Sequence, residues 1–566
     1  MRLLPTGISD YKKIVEGNYS YVDKTLFIEE ILLLGTEVIL IPRPRRFGKT
    51  SNLSMLKYFF EKTDQDHSLL FQDFKIWKTE FRKEQGRYPV IFITLKKIKN
   101  STWDLAYKGL KLLISAEFGR HRALLNALHP GSSKEERPLL EEEEKVQFKS
   151  ILDGSADQTL FADSLKKLTL WLNRYTQKKV IVLIDEYDTP IQAAYLHSFY
   201  DQMIEFMREW LGEGLKDNPC LEKSVLTGIL RIAKEGVFSG LNNPGCYTVL
   251  DEEFCDKFGF LEEEVASLLL EHNTSHQMDE IRAWYNGYRI GSSALYNPWS
   301  ILECIRKKGK LRPYWVGTSD NELIKKLLIQ GSPSMKQDME TLLLGDVVTK
   351  PVDEGVSLRD LHHNPDAVFA LFLFSGYLTL AKEPVYEDGA LQCELKIPNK
   401  EIQDLFKFSI NEWMKMSLSS QGLQELLTSL TTGNVKVFTE LLQKIIIKSM
   451  SFHDTLQNEP EMVYHSFILG LLVALEKTHE VRSNRESGYG RYDVCVIPKD
   501  HSKLGIVIEF KKVETEKELE SGALDALKQI ETQSYVVELQ GLEIKKLLLL
   551  GIAFQGKRLA VKEKSI

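Results

Sequence analysis

Residues 488 to 512 read GYGRYDVCVIPKDHSKLGIVIEFKK, with Asp493, Glu509 and Lys511 on or beside two apolar runs joined by a polar turn. Alternate side chains of a strand share a face, so Glu509 and Lys511 project together while Ile508 and Phe510 enter the opposite layer. A hairpin would bring Asp493 beside that face. Two carboxylates held in this way chelate a divalent cation through hard oxygens, Mg²⁺ or Mn²⁺. A lysine beside them can position a water or meet charge developing on a phosphate. Charged residues on a solvent-facing edge strand would explain Glu-x-Lys alone. The order acid, strand, turn, strand, acid-x-Lys between two helical stretches argues instead for phosphodiester chemistry.

A second set lies near the front. IPRPRRFGKTS (41–51) follows the apolar run EVILI and opens a helical stretch. Gly48-Lys49-Thr50 at such a junction is the second half of a phosphate-binding loop. Lys49 would reach the β- and γ-phosphates of ATP and Thr50 would hold Mg²⁺, with Arg46, Phe47, Gly48 and Ser51 around the phosphates. The first glycine of that pattern is replaced by Arg43, and Pro42, Pro44, Arg45 and Arg46 stiffen and charge the loop. VIVLIDEYD (180–188) supplies the complement: Asp185 for the Mg²⁺ shell and Glu186 to polarise the attacking water. Thr227 could sense the γ-phosphate and Arg231 could meet transition-state charge; purely structural roles suit both equally.

These residues need a scaffold. EVILI (37–41), YPVIFITL (88–95), KKVIVLIDEYD (178–188) and KSVLTGIL (223–230) read as buried strands separated by helical patterns, hence a parallel sheet with crossover helices. The charge-dense 131–148 reads as a solvated helix pair or an insertion. From 251 to 445 leucine-rich helical spacing predominates. Beyond 446 a helix precedes the hairpin, and another helix, ALDALKQIETQSY, leads to a last strand, KKLLLLGIAF. At 566 residues several cores are expected. The predicted organisation is a P-loop domain over 1–250, a mostly helical region over 251–445 and an α/β nuclease-like domain over 446–566.

Composition is that of an ordinary globular chain, 43% apolar and 27% charged, and a net charge of −7 is mild at this length. Residues 446–566 hold 17 Lys and Arg against 18 Asp and Glu, so any nucleic-acid groove must be local. Arg485, Arg491, Lys511 and Lys512 would contribute to it. Six scattered cysteines without a CxxC suit a reducing compartment. The opening MRLLPTGISDYKK has no apolar secretory core and no run approaches a membrane span, so a cytoplasmic protein free of membrane is expected.

YVDKT (21–25), RPRRFGKT (43–50), LIDEYDTPI (183–191), LTGILRIAKEGVFSGLNN (226–243), WYNGY (284–288) and YNPWSI (296–301) resemble the bacterial AAA-ATPase-like proteins. Those typically end in a PD-(D/E)xK, restriction-endonuclease-like domain, and NRESGYGRYD, EFKK, ALKQIE and GIAFQGK look like its corresponding parts. In that family the loop also reads RPRRFGKT or RPRRFGKS, so Arg43 is a family trait. The resemblance implies Asp493, Glu509 and Lys511 as catalytic, with Asp493 and Glu509 holding the metal. Gln529 and Tyr535 resemble the Gln…Tyr pair of RecB-like nucleases, at longer spacing. It also implies a further acid, Glu461 or Glu486; His465 reads better as packed. Nucleic acid, DNA ahead of RNA, is the expected partner, and related ATPases often form rings. The rival expectation is an ATP-dependent regulatory or scaffold protein with a retired nuclease fold. A motor ATPase such as a helicase lacks its motif series here.

Overall fold

The computed structural model describes the chain apart from residues 1, 131–136, 232–243, 275–277, 316–332 (save 324 and 327), 344, 363, 407–419, 450–470 (save 468), 476, 488–489, 533–536 and 557. Runs of Val, Ile and Leu form its first sheet: Val38–Pro42 (β1), Val90–Thr94 (β2), Val180–Asp185 (β3) and Leu221–Gly228 (β4), with the short Gly245–Cys246 (β5). The order is β2-β3-β4-β1-β5, and every pairing is parallel. Helices cover parallel sheets on both faces, which is why these strands read as unbroken apolar runs. The helices Trp103–Arg120, Gln158–Thr176 and Tyr200–Leu215 lie in the crossovers. Register aligns Asp185 with Thr94 on one side and Thr227 on the other, and Pro42 with Gly228. The carboxyl ends of β1, β3 and β4 therefore stand in a row.

Helices dominate the middle of the chain, as expected, among them Pro298–Arg306 and Pro365–Ser375, whose stretch Ala367–Phe374 is apolar throughout. Strands that the sequence reading missed lie between them. Tyr288–Ile290 (β6) and Ser293–Leu295 (β7) make a hairpin. Val348–Val352 (β8), Thr379–Leu380 (β9), Val385–Glu387 (β10) and Ala390–Lys396 (β11) make a small sheet of order β10-β11-β8, with β9 also on β11. Runs this short leave little alternation to read.

The third sheet has the order β12-β13-β14-β15-β16: His479–Ser487, Gly490–Pro498, Leu504–Lys512, Lys546–Gln555 and Arg558–Ser565. β13 and β14 are the antiparallel hairpin expected from sequence; β14 and β15 are parallel, and the helix Leu519–Thr532 lies in their crossover. One face carries Val494, Val496, Ile506, Ile508 and Phe510 in a single core with the helices Ser420–Thr431 and Val435–Ser449; Cys495, Ile497 and Val507 share the opposite core with Leu527 and Ile530.

The chain forms two compact units, one of Met1–Asp320 with Thr349–Ile402, the other of Asn321–Val348 with Gln403–Ile566. Among the described residues no helix is long and apolar enough to cross a membrane.

Candidate functional site

β1 ends at Pro42, and the chain turns through 43–48 into the helix Lys49–Phe60. Two left-handed residues shape the turn, Gly48 at φ +84° and Arg46 at φ +67°. Gly48 adopts this freely, whereas an arginine there is strained and must be held by its surroundings. Lys49 is buried, and its Nζ donates to the carbonyls of Arg43 (3.1 Å) and Pro44 (3.2 Å) and lies 3.7 Å from Glu186. Its ammonium thus stands inside the turn, where phosphate oxygens would be met. Ser51 sits half-buried in the helix's first turn.

Thr50 Oγ1 donates to Asp185 Oδ2 at 2.9 Å. Thr94 Oγ1 reaches the same oxygen (3.2 Å), and Thr227 Oγ1 donates to Oδ1 (3.0 Å). Asp185 is fully buried, and burial, reinforced by Glu186, raises its carboxyl above the ordinary aspartate range. Glu186 leaves the strand at φ +56°. Burial would raise it too, but Lys49 and Arg45 outweigh that and hold it below the ordinary glutamate value. Two adjacent carboxyls are thereby driven apart in acidity, Asp185 upward by burial and Glu186 downward by the cations beside it. The Thr50 hydroxyl and Asp185 carboxylate are hard oxygen donors on one spot, so the residues present fit Mg²⁺. Arg231 pairs with Glu354 at 3.1 Å.

Arg43 has a different task from the glycine it replaces. Its buried guanidinium donates to five carbonyls, those of Pro42, Tyr247, Thr248, Glu253 and Phe254. Phe47 likewise turns its ring into the core, edge-on to Tyr288 at 5.0 Å, so its side chain anchors the loop. YNPWSI, singled out only by resemblance, fastens the same loop. Asn297 caps the helix Pro298–Arg306 through Oδ1 and holds the Arg45 carbonyl through Nδ2 (3.3 Å). Arg46 lies 4.4 Å over the Trp299 ring, and Ser300 donates to Glu401 at 2.7 Å. Two further buried carboxyls escaped the sequence reading. Asp188 accepts the N–H groups of Ile229 and Leu230 and is pushed up to about 6 by burial and Glu186. Glu401 is pushed up to about 7 by burial.

In the second unit Asp493 and Glu509 interlock. Asp493 Oδ2 accepts the Phe510 N–H at 2.7 Å, and Glu509 Oε2 accepts the Asp493 N–H at 3.2 Å. Strand amides thus fix both carboxylates, and Gln529 donates through Nε2 to Glu509 Oε1. Gln529 reaches this point because the helix lies almost on β15. A Cβ on Gly551, the register partner of Glu509, would fall 2.2 Å from the Ala523 carbonyl. One turn earlier on that helix Asp525 sits 3.6 Å from Lys511 Nζ. The oxygen pair suits Mg²⁺ or Mn²⁺; among the described residues no third side chain completes a cluster. Glu461, His465 and Tyr535 lie outside the described residues, as do the side chains of Arg485, Glu486 and Arg491.

Comparison with known proteins separates the same two modules. Residues 5–238 match the family model described as "Predicted AAA-ATPase", and residues 459–564 match that of the PD-(D/E)XK nuclease superfamily. Among curated proteins the chain is similar to an "Uncharacterized protein in vnfD 5'region" of Azotobacter chroococcum mcd 1. The two are 28% identical over 562 residues, which cover 94% of this chain and 92% of that one.

Proposed function

From an AAA-ATPase-like module followed by a PD-(D/E)XK nuclease-like domain, we propose a protein that binds and hydrolyses ATP and cuts nucleic-acid phosphodiesters with a divalent metal. The observation that carries this reading is the interlock of Asp493 and Glu509, with Gln529 bonded to the second. An edge strand with charges facing water has no cause to lock its carboxylates to neighbouring amides.

At the first site Lys49 takes the β- and γ-phosphates, Thr50 and Asp185 hold Mg²⁺, and Glu186 accepts the proton of the attacking water. The bond from the γ-phosphorus to the bridging oxygen breaks, and ADP leaves with the electron pair. At the second site Asp493 and Glu509 hold Mg²⁺ or Mn²⁺, which supplies Lewis acidity at the scissile phosphate. Lys511 stands two residues along the same strand face to meet charge on the departing oxygen. DNA is the favoured substrate ahead of RNA. All six cysteines are free thiols, in keeping with a cytoplasmic setting.

The test is a cleavage assay on the purified chain with single- and double-stranded DNA and RNA, with Mg²⁺ or Mn²⁺, with and without ATP. Metal-dependent cutting lost in Lys511→Ala supports the nuclease, and ATP dependence lost in Lys49→Ala supports coupling. One feature favours a second reading, an ATP-dependent regulatory protein with a retired nuclease fold: the even charge balance over 446–566. No cutting in any condition, with ATP still turned over and no Mn²⁺-dependent rise in melting temperature, would select it.

A further inference from the structure

The loop 43–48 carries an arginine where the backbone is left-handed, and that arginine is stacked. The Arg46 guanidinium lies 4.4 Å from the centre of the Trp299 ring, well within cation–π range. Trp299 is itself fixed: its indole N–H donates to the Tyr314 carbonyl (3.3 Å), and its backbone N–H is capped by Asn297 Oδ1 (3.0 Å). Asn297 also holds the carbonyl of Arg45, the residue before Arg46. One tripeptide, Asn297-Pro298-Trp299, therefore sets both the backbone and the side chain of the loop at this point. Arg46 shares a field with the reacting groups: burial and Arg45 lower its pKa while Glu186, which contacts Lys49, opposes them.

We propose that Arg46, positioned by Trp299 and Asn297, supplies in cis the positive charge that stabilises phosphoryl transfer from ATP, so that turnover needs no arginine from a second chain. This rests on the ATPase reading above and deepens it. P-loop enzymes draw this charge either from their own chain or from a neighbour, and a stacked, planar guanidinium suits the task as lysine would not. Arg46 touches phosphate; Trp299 and Asn297 are positioning residues.

The experiment measures steady-state ATP hydrolysis by the full chain with Mg²⁺, across a wide range of protein concentration. It compares wild type, Lys49→Ala, Arg46→Ala, Trp299→Ala, Trp299→Phe and the double variant Arg46→Ala/Trp299→Ala. Arg46→Ala should lower kcat about 100-fold with KM shifted only a few-fold. Trp299→Ala should lower kcat in the same sense, the double variant should be no worse than Arg46→Ala, and Trp299→Phe should keep most activity because its ring still offers a face. The rate per chain should be independent of protein concentration. Undiminished kcat in Arg46→Ala, additive losses in the double variant, or a rate per chain rising with concentration would each overturn the proposal while leaving the ATPase reading intact. Absence of any Lys49-dependent turnover in wild type would overturn both.

Discussion

Glu509 accepts a hydrogen bond on each carboxylate oxygen, from the Asp493 N–H and from Gln529. In Glu509→Gln one of those oxygens becomes an NH₂ facing a donor. The variant should lose metal-dependent cutting and its Mn²⁺-induced thermal shift, keep ATPase activity, and lose about 1–3 kcal/mol of stability in metal-free denaturant titration. Glu401 gives a pH signature. It is fully buried, accepts from Ser300 Oγ and the Trp315 N–H, and titrates near 7 against an ordinary 4.5. The folded state therefore holds this proton more tightly than the unfolded chain. Its contribution falls away as pH rises from about 4.5 to about 7, on the order of 3 kcal/mol in all. Glu401→Gln should flatten the stability curve across that window in chemical denaturation. At this scale motif spacing singled out Lys49, Thr50, Asp185 and Asp493, and the structure brings Thr50 to Asp185 and Asp493 to Glu509. Arg43 was not, since the carbonyls that hold it come from residues 247–254, far along the chain.

The central strands of both large sheets were legible as apolar runs, because burial on two faces demands them. The outer strands of the third sheet, β12 and β16, were not. HEVRSNRES and RLAVKEKS are dense in charge, which keeps an exposed edge from pairing with other chains and also hides it from a hydrophobic pattern. The Glu run at 141–144 turned out to open the helix Glu142–Asp153, with Glu144 bonded to Trp171 and Arg174. Helix-to-strand distance is the element-scale quantity that matters for the second site. Gly551→Ala places a methyl 2.2 Å from the Ala523 carbonyl and 2.4 Å from the Leu527 nitrogen, so the helix must lift from β15. A loss of about 2–3 kcal/mol is expected, read as a lower melting temperature. Gln529 would move from Glu509 with the helix, so the Mn²⁺ shift should shrink as well.

Each unit holds its own cores, so calorimetry of the whole chain should resolve two transitions and not one. ATP with Mg²⁺ should raise the first unit's transition and Mn²⁺ the second's, and Lys49→Ala should abolish the first shift alone. A single transition moved equally by both ligands would count against separable sites. The threading of the chain has a consequence for how such a protein is made and inherited. Segment 321–348 belongs with residues beyond 402, while 349–402 belongs with the first 320. On the ribosome the first unit waits for residue 402 before its last pieces exist, and the helix Pro333–Leu343, whose Leu343 carbonyl takes the Gln403 amide, emerges ahead of its neighbours. In the genome no single crossover point exchanges one unit and spares the other, so moving either unit whole takes more than one break in the gene.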